Sequence, residues 1–274
     1  MKKLIFIYIL FIFSMNVTAQ KNDIILDLKK FNTNTEIAEW LYMYDAVAWW
    51  TSDSVMTNDK SEIERLGNEW FCYISEDNLW YAVYGKYENN NFDMVFHYVV
   101  GEDGIIRRVF DNVDTTMTNS FSRALILAKE TAAPSLDTMP VTFNQYIRRN
   151  DDKTITVWLL PAITSKNAAV YGAEFIYTFN KYGNKMLKDE SYIQGPLRGF
   201  LIGEPREIWV EYPELEQPSL GGIFFVWYFK KYFTQIKLET KYYISTVFKN
   251  DDSGYYWVHV QKENESKSKN NKKK

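Results

Sequence analysis

The sequence is poor in cysteine and histidine, which excludes several kinds of small secreted domain. It contains one cysteine and two histidines among 274 residues. A single cysteine cannot form an intramolecular disulfide, and the usual Cys/His zinc sites need more ligands than the chain has. Cys72 follows Trp70 and Phe71 and precedes Tyr73, so we expect a buried, unreactive thiol rather than a reactive one.

Sequence motifs of the common enzyme classes are also missing. The chain has no glycine-rich phosphate loop, dinucleotide fingerprint, His-Glu-x-x-His zinc motif, serine nucleophile elbow or EF-hand loop. We therefore predict neither a cofactor nor a bound metal. Beyond the N-terminus, no apolar run reaches the roughly 20 residues that a membrane-spanning helix needs, and we predict no membrane span in the mature chain.

The first 19 residues have the features of a cleavable secretory signal. Lys2 and Lys3 give a positive start, the run 4–13 is entirely apolar, and small residues precede a cleavage point between Ala19 and Gln20. We therefore predict an exported protein that is periplasmic or secreted.

Charge is distributed unevenly along the chain. The formal net charge is −3, but the C-terminal segment 262–274 carries six lysines against two glutamates and otherwise holds only Asn and Ser. This composition predicts a disordered, solvated tail. Without the tail and the two signal lysines, the body at 20–261 has a charge of −9. Because an acidic surface repels phosphate backbones, we expect no nucleic-acid partner.

Aromatic residues make up 17% of the chain, which favours a β-rich fold. Apolar residues at helical spacing predict one helix from about Thr33 and another from about Thr118. Short alternating runs separated by Asn-, Asp- and Gly-rich turns predict antiparallel meanders. The fold class is therefore α+β, with antiparallel β-meander sheets packed on two helices. The predicted strands are 69–75, 79–87, 92–100, 105–110, 154–160, 169–179, 185–193, 207–212, 223–229, 235–246 and 255–261.

One short recurrence points to internal duplication. The quartet Ala-Val-Tyr-Gly occurs at 82–85 and again at 169–172, and each copy is followed by a predicted strand, turn and strand. A duplicated helix-plus-meander unit would explain this. Its two halves would be 31–115 and 116–261, although four matching residues in β-prone sequence also arise by chance.

Three residues are candidates for catalysis. Glu174 lies inside a predicted strand among apolar residues, where an acid needs a partner, and Arg198 or Arg206 could provide one. A raised pKa and catalytic use is the functional interpretation, and a structural ion pair or an exposed strand face is the other. His97 and His259 also lie in predicted strands. They could meet across a sheet, or each could fill a half-buried strand position.

Four tryptophans are candidates for ligand binding, because flat aromatic faces make good binding anchors. They are Trp80, Trp158, Trp209 and Trp227, and all four lie in predicted strands. In a chain this rich in β-structure, the alternative is that they belong to the hydrophobic core.

Two stretches resemble an uncharacterised family of secreted bacterial proteins. They are the segment 68–85, from Asn68 to Gly85, and the pair 158–162 with 171–179, which contains Trp158 and Glu174. An aspartate often stands in that family where this chain has Glu174. The resemblance covers roughly Trp40 to Gly199 and implies an exported domain, with no activity attached to it.

Two classes of function follow from these observations. The first is an exported, non-catalytic binding or envelope-associated protein whose partner is a protein, peptide or glycan. The alternative is a small hydrolase of unrecognised type, acting on a cell-envelope or extracellular substrate through Glu174, His97 or His259. A hydrolase predicts that a carboxylate and a histidine converge in a pocket, whereas a binding module predicts an exposed aromatic patch or sheet edge.

Overall fold

Helices form where apolar side chains recur on one face of the chain. The structure is a computed structural model that describes residues 25–163, 167–203, 205–251 and 254–263. Within these residues the helices are α1 (Leu28–Met56), α2 (Lys60–Ile63), α3 (Thr115–Leu136) and α4 (Leu220–Phe229). The helix α1 begins earlier than predicted from Thr33, because the Asp27 side chain accepts the backbone N–H of Lys30 at 2.9 Å and caps the first turn.

Sheet 1 is the predicted four-stranded meander. Its strands are β1 (Glu69–Ile74), β2 (Trp80–Glu88), β3 (Asn91–Val100) and β4 (Ile106–Arg108), paired antiparallel in that order. The turn between β2 and β3 has Asn89 and Asn90 at φ values of 53° and 61°. Two consecutive positive φ values match the right-handed twist of a tight hairpin, and asparagine tolerates them well.

Sheet 2 follows α3 and supplies the surface on which the candidate site is built. Its strands are β5 (Phe143–Arg149), β6 (Ile155–Pro161), β7 (Ala168–Phe179), β8 (Met186–Asp189) and β9 (Tyr192–Leu201). The order is β5-β6-β7-β8, and β9 pairs with the first half of β7 while β8 pairs with the second half. The single strand predicted at 185–193 is therefore two strands, and β5 was not predicted.

The connection between the first two strands of sheet 3 was assigned wrongly in the sequence analysis. The strands of sheet 3 are β10 (Glu207–Tyr212), β11 (Gln235–Thr240), β12 (Tyr243–Asn250) and β13 (Gly254–Gln261), and β10 pairs with β11 in parallel. A parallel pair needs a crossover, and the helix α4 provides it. The strand predicted at 223–229 is thus part of a helix. Seven of the ten residues of α4 are buried, so the run lacks the polar face by which helical periodicity is recognised.

One connected cluster of buried side chains runs from Phe31 to Val247 and joins all three sheets. The helix α1 packs on sheet 1 and on α4, and α4 in turn packs against β7 and β11. Cys72 lies in this core with no exposed surface, and burial raises its pKa well above the ordinary value. The prediction of a buried, unreactive thiol is consistent with this position.

The repeated quartet does not mark equivalent positions. Residues 82–85 lie in β2, the second strand after α1, whereas 169–172 lie in β7, the third strand after α3. In both quartets the strand register shifts at the final glycine, next to Gly85 in β2 and around Gly172 in β7. The quartets therefore share a local role, which is to form an irregularity in the strand. A helix followed by a four-stranded meander does occur twice, but the half 116–261 also contains sheet 3.

The predicted signal, including the cleavage point at Ala19 and Gln20, lies outside the described residues, as does most of the predicted tail. The first residue of that tail, Lys262, is an exception to the expectation of disorder. Its amine bonds the Glu239 carboxylate and its backbone N–H donates to the carbonyl oxygen of Tyr242. Lys262 is therefore part of the folded domain.

Candidate functional site

A cavity of about 450 Å³ lies between sheet 2 and the beginning of α1. We call it the Glu174 cavity. Its floor is one face of sheet 2, because Thr156 on β6 pairs with Thr178 on β7 and, two residues along, Trp158 pairs with Ile176. Residues two apart on a strand point to the same side, so Glu174 continues this face. The volume falls within the roughly 300–1,000 Å³ that is typical of small-molecule sites.

The walls of the Glu174 cavity come from two other elements. The first turns of α1 contribute Lys30 and Asn34, and the segment 215–220 leading into α4 contributes Gln217 and Ser219. Arg148 extends the floor from β5, where it pairs with Thr156. The cavity is therefore lined by hydroxyl, amide and charged groups, around the edge of the buried Trp158 ring.

Glu174 is held at the N-terminus of α4. Only 5% of Glu174 is exposed, and its Oε2 accepts the backbone N–H of Gly221, the second residue of the helix. The N-terminal N–H groups of a helix carry partial positive charge and bind carboxylates well. A Cβ at Gly221 would collide with the Glu174 carboxylate, so the close approach depends on glycine.

Burial sets the ionisation of Glu174. Desolvation raises its pKa to about 7, against the lowering effects of the Gly221 N–H, the Ser219 hydroxyl and the Lys30 charge. Close to neutral pH, the carboxyl group therefore exists in both its protonated and its ionised form.

The predicted partners of Glu174 were wrong. Arg198 pairs instead with Glu211 at 2.6 Å, and Arg206 donates to the backbone carbonyl of Leu201 at 3.4 Å. The helix N-terminus takes the role that an arginine was expected to fill. It comes from the crossover helix α4, which the sequence analysis assigned to a strand.

The two histidines lie in other sheets. His97 is on β3 of sheet 1, only 4% exposed, with Nε2 at 3.0 Å from the Tyr73 hydroxyl. His259 is on β13 of sheet 3, with Nδ1 at 2.8 Å from the Ser245 hydroxyl and its ring stacked on Trp257. Burial lowers the pKa of both imidazoles. Neither is among the described residues that line the Glu174 cavity, so the three catalytic candidates are not brought together.

The four candidate tryptophans have different surroundings. Trp80 and Trp158 both lie against Trp40, with ring centroids 5.7 and 5.8 Å away, and Trp158 is 2% exposed. These two belong largely to the core, although Trp158 also lines the Glu174 cavity. Trp209 on β10 is 39% exposed, with the Lys237 amine above its ring.

Trp227 lies on the helix α4 and not in a strand, contrary to the prediction. The Lys230 amine is 3.9 Å from its ring centroid, and Tyr255 packs on its edge at 5.9 Å. The same amine lies 5.2 Å from the Tyr42 ring. Trp227 thus helps to enclose the lysine that follows the last residue of α4.

Sequence reasoning missed a second carboxylate shielded from water, that of the half-buried Asp45 in the middle of α1. It accepts hydrogen bonds from the Tyr228 hydroxyl at 2.7 Å, the Tyr146 hydroxyl at 3.1 Å and the Asn144 amide at 3.0 Å. Desolvation raises its pKa, while these three donors lower it. The signal that could have revealed it is an acid set three and four residues from Tyr42 and Trp49, in the otherwise apolar stretch 40–50 of α1.

Comparison with known proteins adds no relative: no protein-family model, no curated protein and no solved structure matches the chain. The resemblance to a family of secreted bacterial proteins therefore stays a prediction. In the described part of the chain, no helix combines the length and the apolar character needed to cross a membrane. The described residues also include no group of three Cys, His, Asp or Glu side chains placed to hold a metal ion.

Proposed function

We propose that this chain is an exported, non-catalytic binding protein, periplasmic or secreted, whose Glu174 cavity holds a saccharide unit of an envelope or extracellular glycan. The observation that carries the proposal is the cavity itself, a concave site of about 450 Å³ with a sheet face as its floor. Sites of this kind are where proteins place small ligands.

The chemistry of the lining supports a sugar. The amide of Asn34 can both donate and accept hydrogen bonds, and so can the hydroxyl groups of Thr156 and Thr178. Asn150 and Gln217 also line the cavity, but their amide N–H groups already donate to other groups of the protein. A sugar hydroxyl likewise donates and accepts, so such a lining can satisfy several hydroxyl groups at once. The half-buried ring of Tyr192 supplies apolar surface for the C–H face of a sugar ring, and the largely buried Trp158 adds little to it.

The charges of the lining are mixed, which favours a ligand without a strong net charge. Lys30 and Arg148 are opposed by Glu174, Glu190 and Glu216. A strongly anionic ligand would meet the three acids, and a strongly cationic one would meet the two bases. A polar ligand that is close to neutral is repelled by neither the acids nor the bases.

One observation favours the hydrolase alternative as a second candidate. Glu174 has a pKa of about 7, and Glu190 and Glu216 line the same cavity. Glycosidases pair a carboxyl group of raised pKa with an ionised one. The separation of His97 and His259 from the cavity argues against the hydrolase with a converging carboxylate and histidine, so the second candidate is a two-carboxylate glycosidase, which needs no histidine.

A thermal-shift screen of the chain from Gln20 onward tests the proposal. The probes are mono- to tetrasaccharides that include neutral, N-acetylated and acidic sugars. A ligand present at 100 times its dissociation constant stabilises the fold by about 2.7 kcal/mol. We expect a shift with one sugar class that is lost in Thr156→Val/Thr178→Val and kept in Trp209→Ala.

The same sugars, assayed for reducing-end release, separate the two candidates. Binding without release supports the binding protein. Release that Glu174→Gln abolishes would replace it by the hydrolase, and a screen with no shift for any sugar would contradict both.

A further inference from the structure

The half-buried carboxylate of Asp45 faces two neighbouring cavities of about 370 and 430 Å³. Both cavities are lined by Asp45, Trp49, Ile163 and Tyr228, and we call them together the Asp45 cavities. They are distinct from the Glu174 cavity, with which they share no lining residue. Tyr42, Asp45 and Trp49 are spaced by three and four residues, which places them on one face of α1.

The walls of the Asp45 cavities are unusually aromatic. One cavity adds Tyr42, Trp50 and Tyr232, and the other adds Trp70 and Tyr84. Trp49 is 70% exposed and Trp50 is 44% exposed. Two adjacent exposed tryptophans beside a cavity are typical of a binding surface, because tryptophan is usually well buried.

The three described hydrogen-bond donors to the Asp45 carboxylate are uncharged groups. Its Oδ1 accepts from the Tyr146 hydroxyl and the Asn144 amide, and its Oδ2 accepts from the Tyr228 hydroxyl. None of the ion pairs found among the described residues involves Asp45. A carboxylate shielded from water attracts a cation far more strongly than an exposed one does.

We infer that the Asp45 cavities bind an organic cation, specifically a quaternary or fully alkylated ammonium group. Tryptophan and tyrosine faces attract such cations, and aromatic cages around a carboxylate are suited to them. A guanidinium or a primary amine would also need acceptor oxygens. The Asp45 oxygens are already engaged by three donors, so the carboxylate supplies charge more readily than further hydrogen bonds.

One ring of the Asp45 cavities, that of Tyr42, already faces an ammonium group of the protein, together with two rings outside the cavities. The Lys230 amine lies 3.9, 4.8 and 5.2 Å from the ring centroids of Trp227, Tyr255 and Tyr42. The exposed Lys231 lines one of the Asp45 cavities. Its charge opposes that of a bound cation, so its removal should tighten binding.

The test is a calorimetric titration of the chain from Gln20 onward with choline and with 3,3-dimethylbutan-1-ol, the uncharged carbon isostere of choline. We expect choline to bind at one site and the isostere to bind at least about tenfold more weakly, since cation–π attraction and the Asp45 charge are both lost. Equal binding of the two compounds, or no binding of choline, would overturn the inference.

Variants then locate the site. Asp45→Asn and Trp49→Ala should each weaken choline binding by about tenfold, and Lys231→Ala should strengthen it. Trp49 is largely exposed, so its variant keeps the test valid even if Asp45→Asn folds poorly. Trp209→Ala and Glu174→Gln are matched controls and should leave the affinity unchanged. Choline binding that Trp49→Ala leaves intact would place the cation elsewhere and contradict the inference.

Discussion

Glu174 and Asp45 are two carboxylates that the fold shields from water in different ways. Burial raises the pKa of both. Glu174 lies on a strand and is held by the N-terminus of α4, whereas Asp45 lies on a helix and is held by two tyrosines and an asparagine. The Glu174 cavity also contains Lys30 and Arg148, while the walls around Asp45 are aromatic.

The two sites differ in the groups that surround the carboxylate, and these groups determine the kind of ligand that each site favours. At Glu174 the backbone dipole and nearby bases offset the negative charge, so the cavity is suited to a polar ligand close to neutral. At Asp45 only neutral donors offset the charge, and the aromatic faces add attraction for a cation. The two sites should therefore differ in pH response, in mutational response and in ligand.

The largest expected effect is on the pH dependence of stability. Glu174 has a native pKa of about 7, above its ordinary value of 4.5. Between these values the unfolded chain releases a proton that the native protein holds, so stability falls as pH rises and the full penalty is present above pH 7. The penalty is about 3 kcal/mol, at 1.36 kcal/mol for each pKa unit.

Urea unfolding of the wild type and Glu174→Gln at pH 4.5 and pH 8 measures this penalty. The variant should gain about 3 kcal/mol relative to the wild type between the two pH values. An equal pH dependence in both proteins would mean that Glu174 titrates normally and is not desolvated.

The next effect is at Gly221, which makes the close approach of Glu174 to α4 possible. Gly221→Ala should destabilise the fold by about 2 kcal/mol, because the new Cβ collides with the carboxylate. In a Glu174→Ala background most of this cost should disappear, because the carboxylate is gone and only the contact with the Cβ of residue 174, at 3.1 Å, remains. A destabilisation of equal size in both backgrounds would show that the collision is with another group.

These two predictions depend on the contact between Glu174 and the N-terminus of α4, which could not be predicted from the sequence. Glu174 was recognised as an acid among apolar residues, and its strand was predicted correctly. Its partner was not, because α4 is buried on nearly all sides and its apolar run reads equally well as a strand. Sheet 1, by contrast, was predicted in full, since turn residues such as Asn89 and Asn90 are local signals.

Asp45 was missed for a related reason. Its three donors, Asn144, Tyr146 and Tyr228, are 99, 101 and 183 residues away in the sequence. Helical spacing of apolar residues predicted the helix α1, whose Leu41, Tyr44 and Val47 lie in the core. It gave no indication that sheet 2 and α4 would bring donors to the neighbouring acid.

A smaller effect is expected at Tyr228, the closest donor to Asp45. Tyr228→Phe should destabilise the fold by about 1.5 kcal/mol at pH 7, the low end for a hydrogen bond to a charged group, because two other donors remain. It should also raise the Asp45 pKa further. Tyr232→Phe is the matched control, since Tyr232 lines the same cavity and is 47% exposed. Equal losses in the two variants would mean that the hydrogen bond is not stabilising.

The smallest effect is expected at Trp209 on sheet 3. Its ring is 39% exposed and its described cation–π partner, Lys237, lies at the surface of the same sheet. Trp209→Ala should lower the free energy of unfolding by about 1 kcal/mol, from the lost cation–π contact and the partly covered ring. A larger loss in chemical denaturation would show that the outer face of sheet 3 packs against something, and Trp209→Ala could then no longer serve as a control.

The most direct test of two distinct sites is a crossed titration. Wild type, Glu174→Gln, Thr156→Val/Thr178→Val and Asp45→Asn are each titrated with choline and with the sugar found by the thermal-shift screen. Our account predicts that the threonine variant loses the sugar and keeps choline, that Asp45→Asn loses choline and keeps the sugar, and that Glu174→Gln keeps choline. If one variant loses both ligands while remaining folded, or if neither ligand responds to any variant, the two cavities are not independent binding sites and the account is contradicted.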